Sequence, residues 1–259
     1  MKRKILFVLL AVFLFLFAIS AYMLIDVLLE YRKADKYYTE LQEEYVEIVV
    51  TPPPVVSDEG EEIQPPTEKT ASAPIAVKFD KLTKKYPDVV GWIYCEDTII
   101  HYPVVQTTDN DYYLHKDLDG NYLRSGTIFV DYRNKAVGED QNYVIYGHDM
   151  RNDSMFGTLD NYKEQSYYDA HPVLYYLTPD GNYRIDLYAG AVVDEGDMMY
   201  QINPGEKAME QYLQKLYKKS TFRSSVTIKP EDRIVALSTC TYEFSSARYI
   251  LVGKLVPLN

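Results

Sequence analysis

The residues best suited to covalent chemistry are one cysteine, one arginine and one histidine, each placed next to an apolar run. Cys240 ends the run Ile234-Val235-Ala236-Leu237-Ser238-Thr239, and Arg248 opens the run Tyr249-Ile250-Leu251-Val252. β-Branched and aromatic residues favour pleated, half-buried surfaces, so two strands are expected here with a short polar loop between them. A thiol at the mouth of a strand is open to substrate, and a guanidinium across the loop can hold an anion beside it. Position alone leaves a second reading open, because free cysteines are commonly small buried hydrophobes. A thiol attacks as thiolate and needs a base or a cationic neighbour, most often histidine. Of His101, His115, His148 and His171, only His148 shares the setting of Cys240: it follows the run Tyr143-Val144-Ile145-Tyr146, with Gly147 giving the backbone room to turn. Cys95 ends the core-like run Val89-Val90-Gly91-Trp92-Ile93-Tyr94-Cys95 and is read as packed, with Cys240 unpaired.

Other chemistries lack their signatures. There is no CxxC, HExxH, Walker or GxGxxG pattern, and no G-x-S-x-G elbow for a serine nucleophile. Asp109, Asp111, Asp117 and Asp119 alternate in a loop without the regular spacing and closing Glu of a calcium site, and read as a solvated acidic loop. No metal and no cofactor are expected. Twenty-seven basic against 38 acidic residues give a net charge of -11, which argues against nucleic acid as a partner.

Positioning such a site requires a sheet. Strand-like runs are expected at 89–94, 98–105, 126–132, 142–146, 173–178, 183–193, 226–228, 233–239 and 248–256, with a hairpin turn at Pro179-Asp180-Gly181-Asn182. Helices are expected at 79–85, ending before Pro87, after Asp153 as a cap, and over 205–220, where Met209, Tyr212, Leu213 and Leu216 share a face. Many short strands with few helices predict a β-barrel or sandwich.

Ahead of this domain the chain changes character. Lys2-Arg3-Lys4 precede an uncharged run from Ile5 to Ile25, about the length of a membrane-spanning helix, so residues 1–26 are expected to be an uncleaved anchor with the basic end cytoplasmic. Residues 27–50 read as an amphipathic helical stalk. Residues 51–76, with six prolines and a run of acids, read as a linker unable to bury a core. The folded domain is expected over 77–259.

Leu237-Ser238-Thr239-Cys240 followed by Arg248, with an upstream Tyr146-Gly147-His148, resembles the sortases, membrane-anchored cysteine transpeptidases of Gram-positive bacteria. Asp88-Val89-Val90-Gly91-Trp92, Tyr102-Pro103-Val104-Val105-Gln106, Asp109-Asn110-Asp111-Tyr112-Tyr113-Leu114 and Gly126-Thr127-Ile128-Phe129-Val130-Asp131-Tyr132-Arg133-Asn134 are similar to class B members, as is the position of the 205–220 helix. The resemblance implies a mainly β fold, a closed barrel of about eight strands with peripheral helices, carrying His148, Cys240 and Arg248 as the catalytic trio. It also implies surface-protein substrates with an (Asn/Ser)-Pro-x-Thr signal and a peptidoglycan amine as acceptor. Ser238, Thr239 and Thr241 flank the nucleophile as candidate substrate contacts. Three alternatives stay open: a pilin-polymerising sortase using a lysine acceptor, a tethered protease that only hydrolyses, and a non-enzymatic adhesin using some of the 26 tyrosines.

Overall fold

A computed structural model describes residues 2–49, 72–229, 231–241, 243 and 245–258. The chain divides into two compact units, Met1–Glu40 and Leu41–Asn259. One helix, α1 (Lys2–Tyr45), begins in the first and ends in the second. It is long and apolar enough near the N-terminus to be a candidate membrane span.

The second unit starts earlier than composition suggests. Strand β1 (Val46–Ile48) pairs antiparallel with β2 (Ile75–Val77), and Gln42 Nε2 donates to the His101 carbonyl at 2.8 Å. Leu41 and Tyr45 are buried. The last turn expected in the stalk and the last residues expected in the linker are therefore part of the folded unit. Most of the linker expected at 51–76 lies outside the described residues.

The remaining strands close on themselves. They are β3 (Val89–Tyr94), β4 (His101–Val105), β5 (Ile128–Val130), β6 (Asn142–Tyr146), β7 (Val173–Thr178), β8 (Gly181–Asp194), β9 (Ile234–Cys240) and β10 (Ala247–Leu258). Around the barrel the order is β10-β8-β7-β3-β4-β5-β6-β9, antiparallel except for β4–β5 and β6–β9. Closure leaves the barrel itself without an open edge.

Helices α2 (Phe79–Lys85), α3 (Gln165–Ala170) and α4 (Glu206–Lys219) lie outside the barrel. Met209, Leu213 and Leu216 of α4 pack with Ala189 and Ala191 of β8, Ala236 of β9 and Ile250 and Val252 of β10. With one face on the barrel interior and the other under α4, β9 is buried at every position from Ile234 to Thr239. Burying each large α4 side chain contributes about 2 kcal/mol. Two local expectations change. Residues 226–228 run as non-strand chain, with no ladder partner. The piece after Asp153 is a 3₁₀ helix, Gly157–Lys163, and Asp153 itself has φ 62° rather than capping geometry.

Candidate active site

Cys240 is the last residue of β9 and Arg248 the second of β10, and the antiparallel register sets them directly opposite one another. Directly opposed residues share a face, with Cβ atoms about 5 Å apart. Ser238, two residues before Cys240, points the same way. On the other side of β9, parallel β6 pairs Tyr146 with Ser238, and Gly147 N–H donates to the Ser238 carbonyl at 3.1 Å. His148 follows two residues after Tyr146, beyond the end of β6, and lines the same cleft as Cys240 and Arg248.

These side chains line a cleft of about 470 Å³ with Asn110, Leu114, Thr127, Phe129, Arg133, Tyr146, Gly147, Glu195, Tyr200 and Thr239. Its aromatic wall is a ladder: Phe129 and Tyr146 lie 5.3 Å apart between centroids, and Tyr146 and Tyr200 stack at 6.0 Å and 16°. Buried Asp131 ties this wall down. It accepts from both arms of Arg133 (2.8 and 2.7 Å), from the Tyr146 hydroxyl (2.9 Å) and from Asn110 (3.2 Å). Those bonds to the ionised form outweigh burial and hold the Asp131 carboxyl below the usual carboxylate range.

His148 is half-buried and held by the 3₁₀ helix Tyr112–His115. Its Nε2 lies 2.7 Å from the Leu114 carbonyl, and the His115 ring stacks on it at 5.3 Å and 13°. A carbonyl only accepts, so the proton belongs on Nε2 and Nδ1 is the nitrogen left to exchange. Burial pushes the His148 imidazole below its ordinary value; the Leu114 bond opposes this, and His115 adds to it. Gly147 has no positive φ; what it supplies is space, since a Cβ there would meet the Phe156 ring at 2.6 Å.

Arg248 donates from Nη1 to its own Ala247 carbonyl at 3.0 Å and from Nη2 to Glu195 at 3.2 Å. The Ser238 hydroxyl is 2.8 Å from that of Tyr200. Thr239 is buried, with no hydrogen-bond partner for its hydroxyl among the described residues. Thr241 is turned elsewhere: its hydroxyl meets Lys163 Nζ at 3.2 Å and the Glu243 carboxylate, and it does not line the cleft. Cys95 is buried 3.9 Å from the Tyr162 hydroxyl, and burial pushes its thiol up, which keeps it inert. Among the described residues no group of three or more His, Cys, Asp and Glu side chains is placed to hold a metal ion.

Sequence reasoning missed Glu195 and Tyr200 as site residues. Asn110, Leu114, Arg133 and Tyr146 lay in stretches that carried the resemblance, although no role was attached to them.

A half-exposed thiol, an imidazole and a guanidinium that line one cleft are the groups that cysteine-dependent acyl transfer employs. Residues 93–256 match the Sortase domain model. The chain is 39% identical over 180 residues to Sortase B of Listeria monocytogenes, covering 68% of this chain and 72% of the relative. It is 30% identical over 185 residues to Sortase B of Staphylococcus aureus, covering 70% and 76%. The structure of sortase B from Bacillus anthracis in complex with AAEK1 superposes with a TM-score of 0.71 at 29% identity, covering 89% of this chain and 99% of that one. The chain belongs to the sortase family, and within it to the class B cysteine transpeptidases.

Proposed function

We propose that this transpeptidase cuts an (Asn/Ser)-Pro-x-Thr sorting signal after its threonine and joins the new C-terminus to a peptidoglycan amine. The observation that supports this reading is one cleft lined by Cys240, Arg248 and His148, the first two being opposite one another in the β9–β10 ladder. In the first half-reaction the Cys240 thiolate attacks the threonine carbonyl. His148 gives a proton to the departing amine as the C–N bond breaks, leaving a thioester on Sγ. Arg248 stabilises the oxyanion and orients the threonine. In the second half-reaction the acceptor amine attacks the thioester, His148 takes its proton, and Cys240 leaves as thiolate.

Ser238 and Thr239 are proposed substrate contacts, from their places in the cleft wall. Thr241 is better suited to holding the loop after Cys240 against Lys163. Residues 1–26 are proposed as the anchor, with the basic end inside and the catalytic unit outside the membrane. The segments 27–50 and 51–76 are proposed as spacers, shortened by what folds with the barrel.

The test uses the full chain in detergent micelles with quenched Asn-Pro-x-Thr and Leu-Pro-x-Thr peptides, read by intact mass. A thioester adduct on Cys240 with the first peptide, absent from Cys240→Ala, is expected. Preference for the second peptide sinks the assigned signal, and cleavage without an adduct sinks the mechanism.

A further inference from the structure

The second half-reaction needs an amine, and an amine in neutral water arrives as an ammonium. Among the described residues lining the cleft the acidic side chain is Glu195 alone, against two cations, Arg133 and Arg248. Arg133 is already matched by Asp131 behind the wall. Glu195 follows Asp194, where the β8–β10 ladder ends at the pair Asp194–Ala247. It sits in a turn closed by Asp197 N–H donating to the Asp194 carbonyl at 3.0 Å, two residues beyond Val193, the ladder partner of Arg248. Its side chain is 59% exposed and that of Arg248 29%. A pair so open to water adds little to stability and exchanges partners readily.

We infer that Glu195 is the acceptor-recognition residue of this site: it holds the incoming primary ammonium beside the thioester once Arg248 has turned to the acyl-enzyme. This rests on the transpeptidase reading above. In the resting state both terminal nitrogens of Arg248 are engaged, one by Ala247 and one by Glu195. A substrate oxyanion or carbonyl that takes Nη2 frees the Glu195 carboxylate, so acylation itself unmasks the anion that the second substrate requires. The bound ammonium sheds one proton to solvent to become the free amine. Its nitrogen forms the new C–N bond as the C–Sγ bond breaks, the electron pair leaves on Cys240, and the second proton passes to His148. Glu195 contributes charge and position, and no proton.

The test compares two nucleophiles on the same acyl-enzyme, made with the full chain in micelles: triglycine amide, which is cationic, and hydroxylamine, which is uncharged at neutral pH. In Glu195→Gln the ratio of triglycine amide capture to hydroxylamine capture is expected to fall about threefold to fivefold, as for a partly exposed charge pair. Glu195→Asp restores it, Glu195→Lys lowers it further, and added salt narrows the differences. A general disturbance of the cleft would move both nucleophiles together and leave the ratio at its native value; that result overturns the inference. If the native chain forms no adduct, the transpeptidase reading fails and this inference with it. An adduct with an unmoved ratio overturns this inference alone.

Discussion

His148 is governed at the residue scale by burial and by two neighbours, acting in different directions. Burial disfavours its imidazolium, the Leu114 carbonyl favours it, and a proton on His115, 5.3 Å away ring to ring, disfavours it again. Arg133, Glu195, Cys240 and Arg248 line the same cleft as the ring. His115→Phe keeps a flat ring to stack against while removing the neighbouring charge. The His148 pKa is then expected to rise, since a cause that lowers it is gone. Its Cε1–H resonance in a two-dimensional NMR titration should reach its midpoint at higher pH than in the native chain. The acid limb of kcat/KM should move the same way, because the proposed proton transfers run through His148. A midpoint at the native position would show that His115 acts on His148 only through packing.

At the scale of elements, the site is an outcome of register, which explains what was legible beforehand. Strands such as Asn142–Tyr146 and Ile234–Cys240 announce themselves because their β-branched and aromatic side chains suit a pleated surface. Which strand lies beside which is not a local property. The parallel β6–β9 pairing, which sets Tyr146 beside Ser238, leaves no mark on either segment. Residues 226–228 look like strand and find no ladder, while residues 46–48 looked like stalk and became β1 through a partner 29 residues downstream. Glu195 carries no local signal at all, since only the end of the β8–β10 ladder gives it Arg248 as a neighbour. Gly126 shows how tightly one element is fitted to the site. At φ +57° it lies so close to the 3₁₀ helix Tyr112–His115 that a Cβ would sit 2.3 Å from the Leu114 oxygen. That oxygen is the one bonded to His148. Gly126→Ala is strained in φ and in contact, so the Leu114 carbonyl must shift. Stability is expected to fall by about 1–3 kcal/mol in urea denaturation. kcat should fall with it in the folded fraction, and native turnover per folded molecule would show that the Leu114 bond is dispensable.

For the whole molecule, stability and acidity are linked through His101, which lies at the start of β4 and far from the cleft. Its ring packs edge-on against Trp92 at 5.5 Å and Tyr94 at 5.0 Å, and Nε2 is buried without a hydrogen-bond partner among the described residues. Its backbone carbonyl meanwhile accepts from Gln42, joining the end of α1 to the barrel. A charge on that ring is poorly solvated, and burial pushes its pKa down to about 4. An unfolded histidine titrates near ~6.5, so between these values the unfolded chain binds the extra proton and the folded chain does not. Stability from this group is therefore complete above the upper value and lost as pH falls towards the lower one. The full separation corresponds to about 3 kcal/mol, and partial exposure of the ring reduces this to ~1–2 kcal/mol. Asp149 works against the trend: burial raises its carboxyl to about 6, so the folded state gains stability from it as the pH drops below that point. A single melting curve mixes the two, whereas the difference between the native chain and His101→Phe isolates the histidine. That difference in Tm is expected to be small and constant above pH ~6.5 and to shift steadily in favour of the variant down to pH ~4. A difference that stays flat across this window would mean that the His101 ring is protonated in the folded barrel, and that Trp92 and Tyr94 open to let water reach it.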